Sequence, residues 1–525
     1  MSFQKTLCAI FLFLFLSTTA FAFFPGIINY QGRLTDSDGS PVTSPVQVIV
    51  EGEDLLPRKR FTPGAYSFFS QEAESVLASG RVHADAIKSG TVSEARIDES
   101  IARDSEMTAL KLFDAIVSPS GGEYASIQDA LSDGAKSIFV RNGVYELSED
   151  INISESGVVI IGESREGVIF DAGNEDYRIV INPHVSGYNA GTVSVDNNSK
   201  VVEGKDTEWS ANVSPEEKIR LGANLYEITS VISDIRLVIS KVYQGNDIEN
   251  EEYSISDYKE NVRIENLTII NSDGTSGAFL LAYVANCSVR NCKMENNDAP
   301  GIRLLKCVAC ILENNICRNN SNGINISRGS GNLVKNNIFA NNEGYGAFIT
   351  NGSRDIFRGN QIDNNLKNGL FVRETSHYIF EGNTVSYNGD EGFYIHQSNE
   401  CRLVDNFGTC NKSDQVSLHF SSFNILCGNM FNDGDASGIR VYSSDKNTIN
   451  GNICKHNYTS GIEVVSSDAN SITGNTSIDN REYGINITGS SSHNIAGMNT
   501  LTGNVSAAGN DGGVNTHKST NYPTF

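Results

Sequence analysis

The chain has 525 residues and is acidic, with 40 Lys and Arg against 63 Asp and Glu and a formal net charge of −23. No basic stripe interleaved with aromatics offsets that balance, which argues against nucleic acid as a partner; an acidic polysaccharide would need a local basic patch or a metal to approach. Of the ten cysteines, Cys8 falls in the leader, and the odd remainder argues against a full disulfide framework. No paired C-x-x-C set is present, and the sequence implies neither a metal nor a cofactor.

Residues 1–22 read as a secretory signal. They hold Lys5, an apolar run and the small-residue end Ala20-Phe21-Ala22, with cleavage expected after Ala22. No later segment has the length and apolarity of a bilayer span, so the expected product is exported: secreted, periplasmic or at the cell surface. Residues 23–75 contain IINYQGRLTDSDGSPV and LLPRKRFTPGAYSF. They look like the opening and closing parts of a small β module found at the start of exported bacterial proteins, with its middle missing. Residues 76–112 are small and polar and read as a solvated linker. Their stretch GTVSEARIDESIARDSEM resembles short linking repeats of phage tail fibres and other trimeric proteins, which implies a homotrimer as one arrangement.

Residues 113–190 predict the start of a coiled β structure. Ser126-Ile-Gln-Asp129 is a variant capping box opening a short helix through Leu131. Strands are expected at Ser137–Val140, Asn142–Tyr145 and Gly157–Gly162. Residues 191–255 break away into alternating strands and turns, a small all-β insertion resembling a module of phage structural proteins. It carries Trp209, the only Trp, which is expected in the module's core rather than as a sugar platform.

Residues 256–505 are periodic. An asparagine recurs every 23 residues at Asn337, Asn360, Asn383, Asn406, Asn429, Asn452 and Asn475, with Asn315 one step earlier at 22. A glycine column runs in phase: Gly301, Gly323, Gly346, Gly369 and Gly392, then Gln415, then Gly438, Gly461 and Gly484. A third column reads Asn297, Asn320, Asn342, Asn365, Asn388 and Asn411, skips to Gly434, and resumes at Asn457 and Asn480. Columns that share one period mean one repeated unit, a solenoid. The residues one and three past each glycine are apolar, as in Leu370/Val372 and Phe393/Ile395, which is the alternation of a half-buried strand. The asparagines are expected to bond to one another up the stack, with some Asn and Gly supplying left-handed turns. Cys317 and Cys454 read as small core residues. Cys287 and Cys310, one coil apart, are expected to point in parallel and stay unbridged. Residues 506–525 lose the pattern and are expected to form a cap or loose tail.

These columns resemble right-handed parallel β-helix proteins of the pectin-lyase-like class. The resemblance implies an all-β, right-handed solenoid with coils of about 23 residues, its N-terminal end plugged by the helix that begins after Ser126, which keeps an open edge from templating aggregation.

Outward-facing columns are where chemistry can sit. Two residues past each glycine stand Arg303, Asn325, Phe348, Phe371, Tyr394, Ser417, Arg440 and Glu463; four past stand Thr350, Arg373, His396, His419 and Tyr442. Aromatic rings can stack on sugars, and Arg and His can bond to carboxylates or hydroxyls. Phe348, Phe371, Tyr394, Tyr442 and Glu463 are therefore the expected binding residues. His396, His419, Arg373, Arg440 and Tyr394 are the candidates for proton transfer and charge neutralisation. Asp390, Glu391, Glu374 and Asp414 flank the strip; a pair of them suits glycoside hydrolysis, but on so acidic a chain they are expected mainly to solvate turns. Gly-His-Gly with an Asp-Asp pair, as in pectin-hydrolysing β-helices, is absent. Asn182-Pro183-His184 is a poor match to the Asp-Pro-His-Asp of alginate epimerases, and the calcium-binding carboxylates of pectate lyases find no match. The sequence favours an exported protein that recognises carbohydrate. A lyase, epimerase or hydrolase of acidic glycans is the alternative, and a structural fibre or adhesin stalk the third; fold alone licenses none of them.

Overall fold

A computed structural model describes residues 112–183, 187–222, 224–519 and 521–522. The expected signal, the truncated module and nearly all of the linker lie outside the described residues, as does His184.

Each coil is too short for helices and rich in β-branched and aromatic residues, and it folds as three short strands joined by tight turns. In one coil these are Leu370–Arg373, Ile379–Glu381 and Thr384–Ser386. Like strands pair in parallel with those of the next coil, building one sheet of 15 strands and two of 13. The register is strict: Leu370 lies on Phe393, Phe380 on Leu403 and Val385 on Gly408. Residues one and three past the glycine column, such as Leu370, Val372, Phe393 and Ile395, are fully buried. Phe357, Phe380, Phe393 and Phe431 fill the centre of the coils.

The Asn315 column is a continuous ladder. Asn360 donates its Nδ2 to the Val334 carbonyl and to Asn383 Oδ1, both at 2.9 Å, and its backbone N–H to the same Oδ1 at 3.0 Å. The pattern repeats to Asn475 and onward to Asn499 and Asn521. Asn297 to Asn411 form a second ladder. A third was not read from the sequence. It runs through Cys287, Cys310, Asn332, Asp355, Tyr378, Cys401, Asn424, Asn447, Asn470 and Asn494. All the described cysteines are unbridged.

Left-handed backbone lies beside these columns, not in them. The residue before each ladder asparagine takes positive φ, as at Asn336 (55°) and Gly359 (63°). The glycine column is set by close approach instead: a Cβ at Gly346 would meet Ile362 Cγ2 at 2.3 Å and the Gly369 carbonyl at 2.7 Å.

Three irregular positions form one packing solution. Where Gly434 leaves the second ladder without an amide, Gln415 sends its side chain inward and accepts from Asn411 Nδ2 at 2.6 Å. A Cβ at Gly434 would lie 2.4 Å from Gln415 Nε2, and one at Gly408 would lie 3.2 Å from Gln415 Oε1. The two glycines make room for the glutamine.

Ser126 caps the N-terminal helix Ile127–Ser132, accepting from the Asp129 N–H. Residues 192–256 form a seven-stranded antiparallel sheet. The coils resume without loss of register, since Arg263–Glu265 pairs directly with Val159–Gly162. Trp209 is fully buried there and donates Nε1 to the Tyr253 hydroxyl at 2.9 Å, so it is no sugar platform. Of the stretch 506–525, expected to leave the pattern, the described strands Ala507–Asp511 and His517–Ser519 continue it by pairing with the coil before. The step there lengthens to 24 for Asn475 to Asn499, which hid it from a fixed period.

Asp355 is fully buried in the third ladder. Its Oδ1 accepts from Asn332 N and Nδ2, and its Oδ2 from the Tyr378 hydroxyl at 2.8 Å. Burial pushes its carboxyl from 3.8 up to about 7, against those hydrogen bonds. A raised folded value means the folded state holds the proton more tightly. Asp355 therefore penalises stability fully above pH 7, and the penalty fades as pH falls from about 7 towards 4. Asp355→Asn is expected to melt higher than wild type at pH 8, with the gap closing by pH about 4–5; thermal unfolding across that range checks it. Gln415→Gly is expected to cost about 2 kcal/mol by removing one of the two hydrogen bonds of Asn411 Nδ2, which keeps the Val385 carbonyl, and by opening a cavity. Adding Gly434→Asn should recover most of it, a coupling above about 1 kcal/mol in a double-mutant cycle.

Candidate functional site

The third sheet carries the expected site on its outer face. Strands Ala347–Thr350, Leu370–Arg373, Phe393–His396, Val416–His419, Ile439–Tyr442 and Ile462–Val465 stack in order. One column runs Phe348, Phe371, Tyr394, Ser417, Arg440, Glu463, and the next Thr350, Arg373, His396, His419, Tyr442. The structure thus brings all nine expected outward site residues onto one face. The Asn315 column is not among them; it is internal and occupied by its own hydrogen bonds.

Ring contacts run unbroken up the strip. Centroids are 5.3 Å apart for Phe348–Phe371 and for Phe371–Tyr394, and 5.1 Å for Tyr394–His419 and for His419–Tyr442. The two Phe rings are nearly parallel at 17°, so they spend much of their faces on each other and show chiefly rims to solvent. Beyond Phe371 the strip becomes polar. Tyr394 Oη lies 3.5 Å from His419 Nδ1, and the Arg440 guanidinium sits 5.8 Å over the Tyr442 ring. Arg373 is exposed and paired with Glu374 at 2.8 Å.

A third column runs one residue before the glycines through Tyr345, Asn368, Glu391, Asp414 and Ser437; the sequence pointed to Glu391 and Asp414 beside the strip but not to the column they belong to. It shares the same period, and that was its signal. Tyr345 packs 5.2 Å from both Phe348 and Phe371. Phe420, exposed, stands edge-on to His396 and Tyr442. Asp414 and Glu391 are not the solvated turn carboxylates the sequence predicted. Asp414 is 2% exposed, accepts from the Ser437 N–H at 2.8 Å and lies 4.0 Å from Arg440 Nη1. Burial pushes its carboxyl up to about 6. Glu391 accepts from Asn368 Nδ2 at 2.6 Å; burial, then the neighbouring Asp390, pushes it up to about 7. The imidazoles move the other way. Burial, with Arg440 and His396 adding, holds His419 down at about 4, and burial with Arg373 lowers His396. Near neutral pH both rings are uncharged, each able to donate from one nitrogen and accept at the other. Cavities of about 270 and 220 Å³ open beside the N-terminal helix, and no strip residue lines them.

Known families match parts of the chain. Residues 351–504 match one described as "Right handed beta helix region". The fold is a right-handed parallel β-helix. Residues 212–385 match a second, described as "Periplasmic copper-binding protein (NosD)". No curated protein matches. Among solved structures, the β-helix is similar to the A-module of the Azotobacter vinelandii mannuronan C-5 epimerase AlgE6, at 14% identity, with 76% of this chain and 94% of that one covered and a TM-score of 0.44. It is similar to the periplasmic alginate epimerase AlgG at 13%, covering 80% and 89%, with a TM-score of 0.41. The gp54 tailspike of Acinetobacter baumannii bacteriophage AP22, in complex with capsular saccharide, stands at 14%, 80% and 72%, and 0.43. These are likenesses of fold.

Copper prefers thiolate, thioether and imidazole ligands. Within residues 212–385 the cysteines Cys287, Cys292, Cys307, Cys310 and Cys317 are buried in the core, burial pushing the Cys292 thiol up to about 12. His377 is turned to Glu400. Among the described residues no three His, Cys, Asp or Glu are grouped to hold a metal. The described residues do not fit a copper centre.

His419 provides a direct check on the site. Side-chain NMR should show its ring uncharged until pH falls to about 4, and Arg440→Gln should raise that midpoint by removing the neighbouring cation. An unshifted midpoint near 6.5 would contradict the burial seen here.

Proposed function

We propose that this face binds a saccharide chain laid along the solenoid axis, across the coils from Tyr345 to Glu463. The observation that carries the reading is the strip itself: apolar rims at one end grade into hydroxyl, imidazole and guanidinium groups at the other, all in register. Coil spacing of about 4.8 Å makes it roughly 24 Å long. A sugar has apolar ring faces and hydroxyl edges, and such a mixed surface meets both. Neutral His396 and His419 and the Tyr394 and Tyr442 hydroxyls can each donate to and accept from sugar hydroxyls. His396 Nδ1 makes no hydrogen bond within the protein, so a hydroxyl that draws this side chain outward satisfies a group now without a partner. The signal expected in residues 1–22 and the periplasmic description of the second matching family support a location outside the cytoplasm.

A second reading, cleavage or epimerisation of the bound chain, is favoured by Glu391 and Asp414. They are two carboxyl groups on neighbouring coils whose proton affinities are raised to about 7 and about 6, and shifted groups of this kind collect at catalytic sites. Release of reducing ends or unsaturated uronate from a polysaccharide panel, lost in Asp414→Asn, would establish it.

Binding is tested by a glycan array followed by calorimetry on the best ligand. Tyr394→Ala with Tyr442→Ala is expected to weaken affinity at least about tenfold, roughly 1.4 kcal/mol, with circular dichroism unchanged. Equal affinity for the variant and wild type would place the ligand elsewhere.

A further inference from the structure

The charges on the strip restrict what kind of saccharide it can hold. Each cation in its polar half already has a carboxylate partner. Arg373 is paired with Glu374 at 2.8 Å. Arg440 lies between Asp414, 4.0 Å from Nη1, and Glu463, 3.6 Å from Nε. The two imidazoles that share the face, His396 and His419, are held uncharged near neutral pH by burial and by those same arginines. Acidic groups are in excess: Asp390 and Glu391 adjoin Tyr394 and form no ion pair among the described residues. Lys367 is a cation outside these pairs, but it sits over the Tyr345 ring at 5.1 Å, at the apolar end of the strip. The whole chain adds its own field, at a net charge of −23.

A polyanion laid here would have to draw Arg440 away from Asp414 and Glu463, leaving both carboxylates beside a third. It would gain one ion pair and lose two, in a partly buried setting where unpaired charge is costly. A hydroxyl ligand needs no such exchange. It can use the half-exposed imidazoles and tyrosines as they stand.

Resting on the binding reading above, we propose that the saccharide taken by this face is electrically neutral, and that chains of uronate or sulfated sugar are rejected by it. The arginines serve to order the acidic side chains of the face, not to anchor a ligand carboxylate.

The full-length protein is titrated calorimetrically with neutral gluco-, manno- and N-acetylglucosamine oligosaccharides of about five units, the length that suits a strip of roughly 24 Å. Oligomannuronate and oligogalacturonate of the same length are titrated alongside, each at low and high ionic strength. A neutral oligosaccharide is expected to bind with an affinity that changes less than about twofold with salt, and the uronates at least about tenfold more weakly. Glu463→Gln, which releases one side of Arg440, is expected to narrow that gap. Uronates that bind as tightly as neutral chains, lose affinity with salt and depend on Tyr394 and Tyr442 would overturn the charge argument while leaving the binding face intact. Oligosaccharides that bind wild type and Tyr394→Ala/Tyr442→Ala equally, or not at all, would overturn the face itself.

Discussion

Everything in this molecule depends on coils stacking in register at the spacing of parallel strands, about 4.8 Å. At that spacing a residue's neighbours are its own counterparts above and below. A buried asparagine is satisfied because the next coil offers another: one oxygen takes two N–H donors from below, and the amide nitrogen finds a carbonyl and the oxygen above. Such an amide would be costly alone in a core. In a column it becomes a specification, since slipping one coil by a single residue would set the amides against flanking residues such as Gly382, Thr384 or Phe407. Asp355 shows the tolerance of the rule. It lacks a donor towards the coil below, is held near its proton by burial, and takes a hydroxyl bond from Tyr378 in place of an amide.

The same register governs the exterior. Residues 23 apart become vertical neighbours, and charges are matched up the stack as amides are within it: Glu313 lies between Arg290 and Lys335, and Arg358 meets Glu381. Aromatic rings placed one coil apart stack on each other before they meet anything else. That is why Phe348 and Phe371 form a seam between coils. The half of the strip where the column changes from ring to serine to arginine carries the polar groups on which the proposed binding rests.

The period, the inward alternation and the juxtaposition of Tyr394, His419 and Arg440 were legible in the sequence because the columns that set them recur at one step. The third ladder was not, since cysteine, aspartate and tyrosine stand at half of its rungs and no single residue type recurs. The last coils were hidden by a step of 24 in place of 23. Asp414 and Glu391 were misread for a different reason. Composition describes the average carboxylate of an acidic chain, whereas burial is decided by the neighbour one coil away: Asn368 bonds to Glu391, and Ser437 and Arg440 meet Asp414.

One coil departs from the repeat at several columns together. Between Gly408 and Gly434 the chain replaces the glycine with Gln415, the core residue with Gly408, the ladder asparagine with Gly434 and the strip aromatic with Ser417. The first three are explained by one another, because the inward glutamine needs the space the glycines leave. Ser417, fully buried beneath its neighbours, is not explained by these contacts, whereas Asp414 accepts from the Ser437 N–H and meets Arg440. Local rules in a repeat protein are broken at a cost, and the breaks concentrate where function asks for them. This coil also supplies His419 and lies between Tyr394 and Arg440. Inside, the glutamine accepts from Asn411 Nδ2 while its own Nε2 finds no partner; outside, Ser417 takes the place of a ring and His419 carries the ring contacts on. The coil at the centre of the candidate strip is thus also one whose interior departs from the repeat.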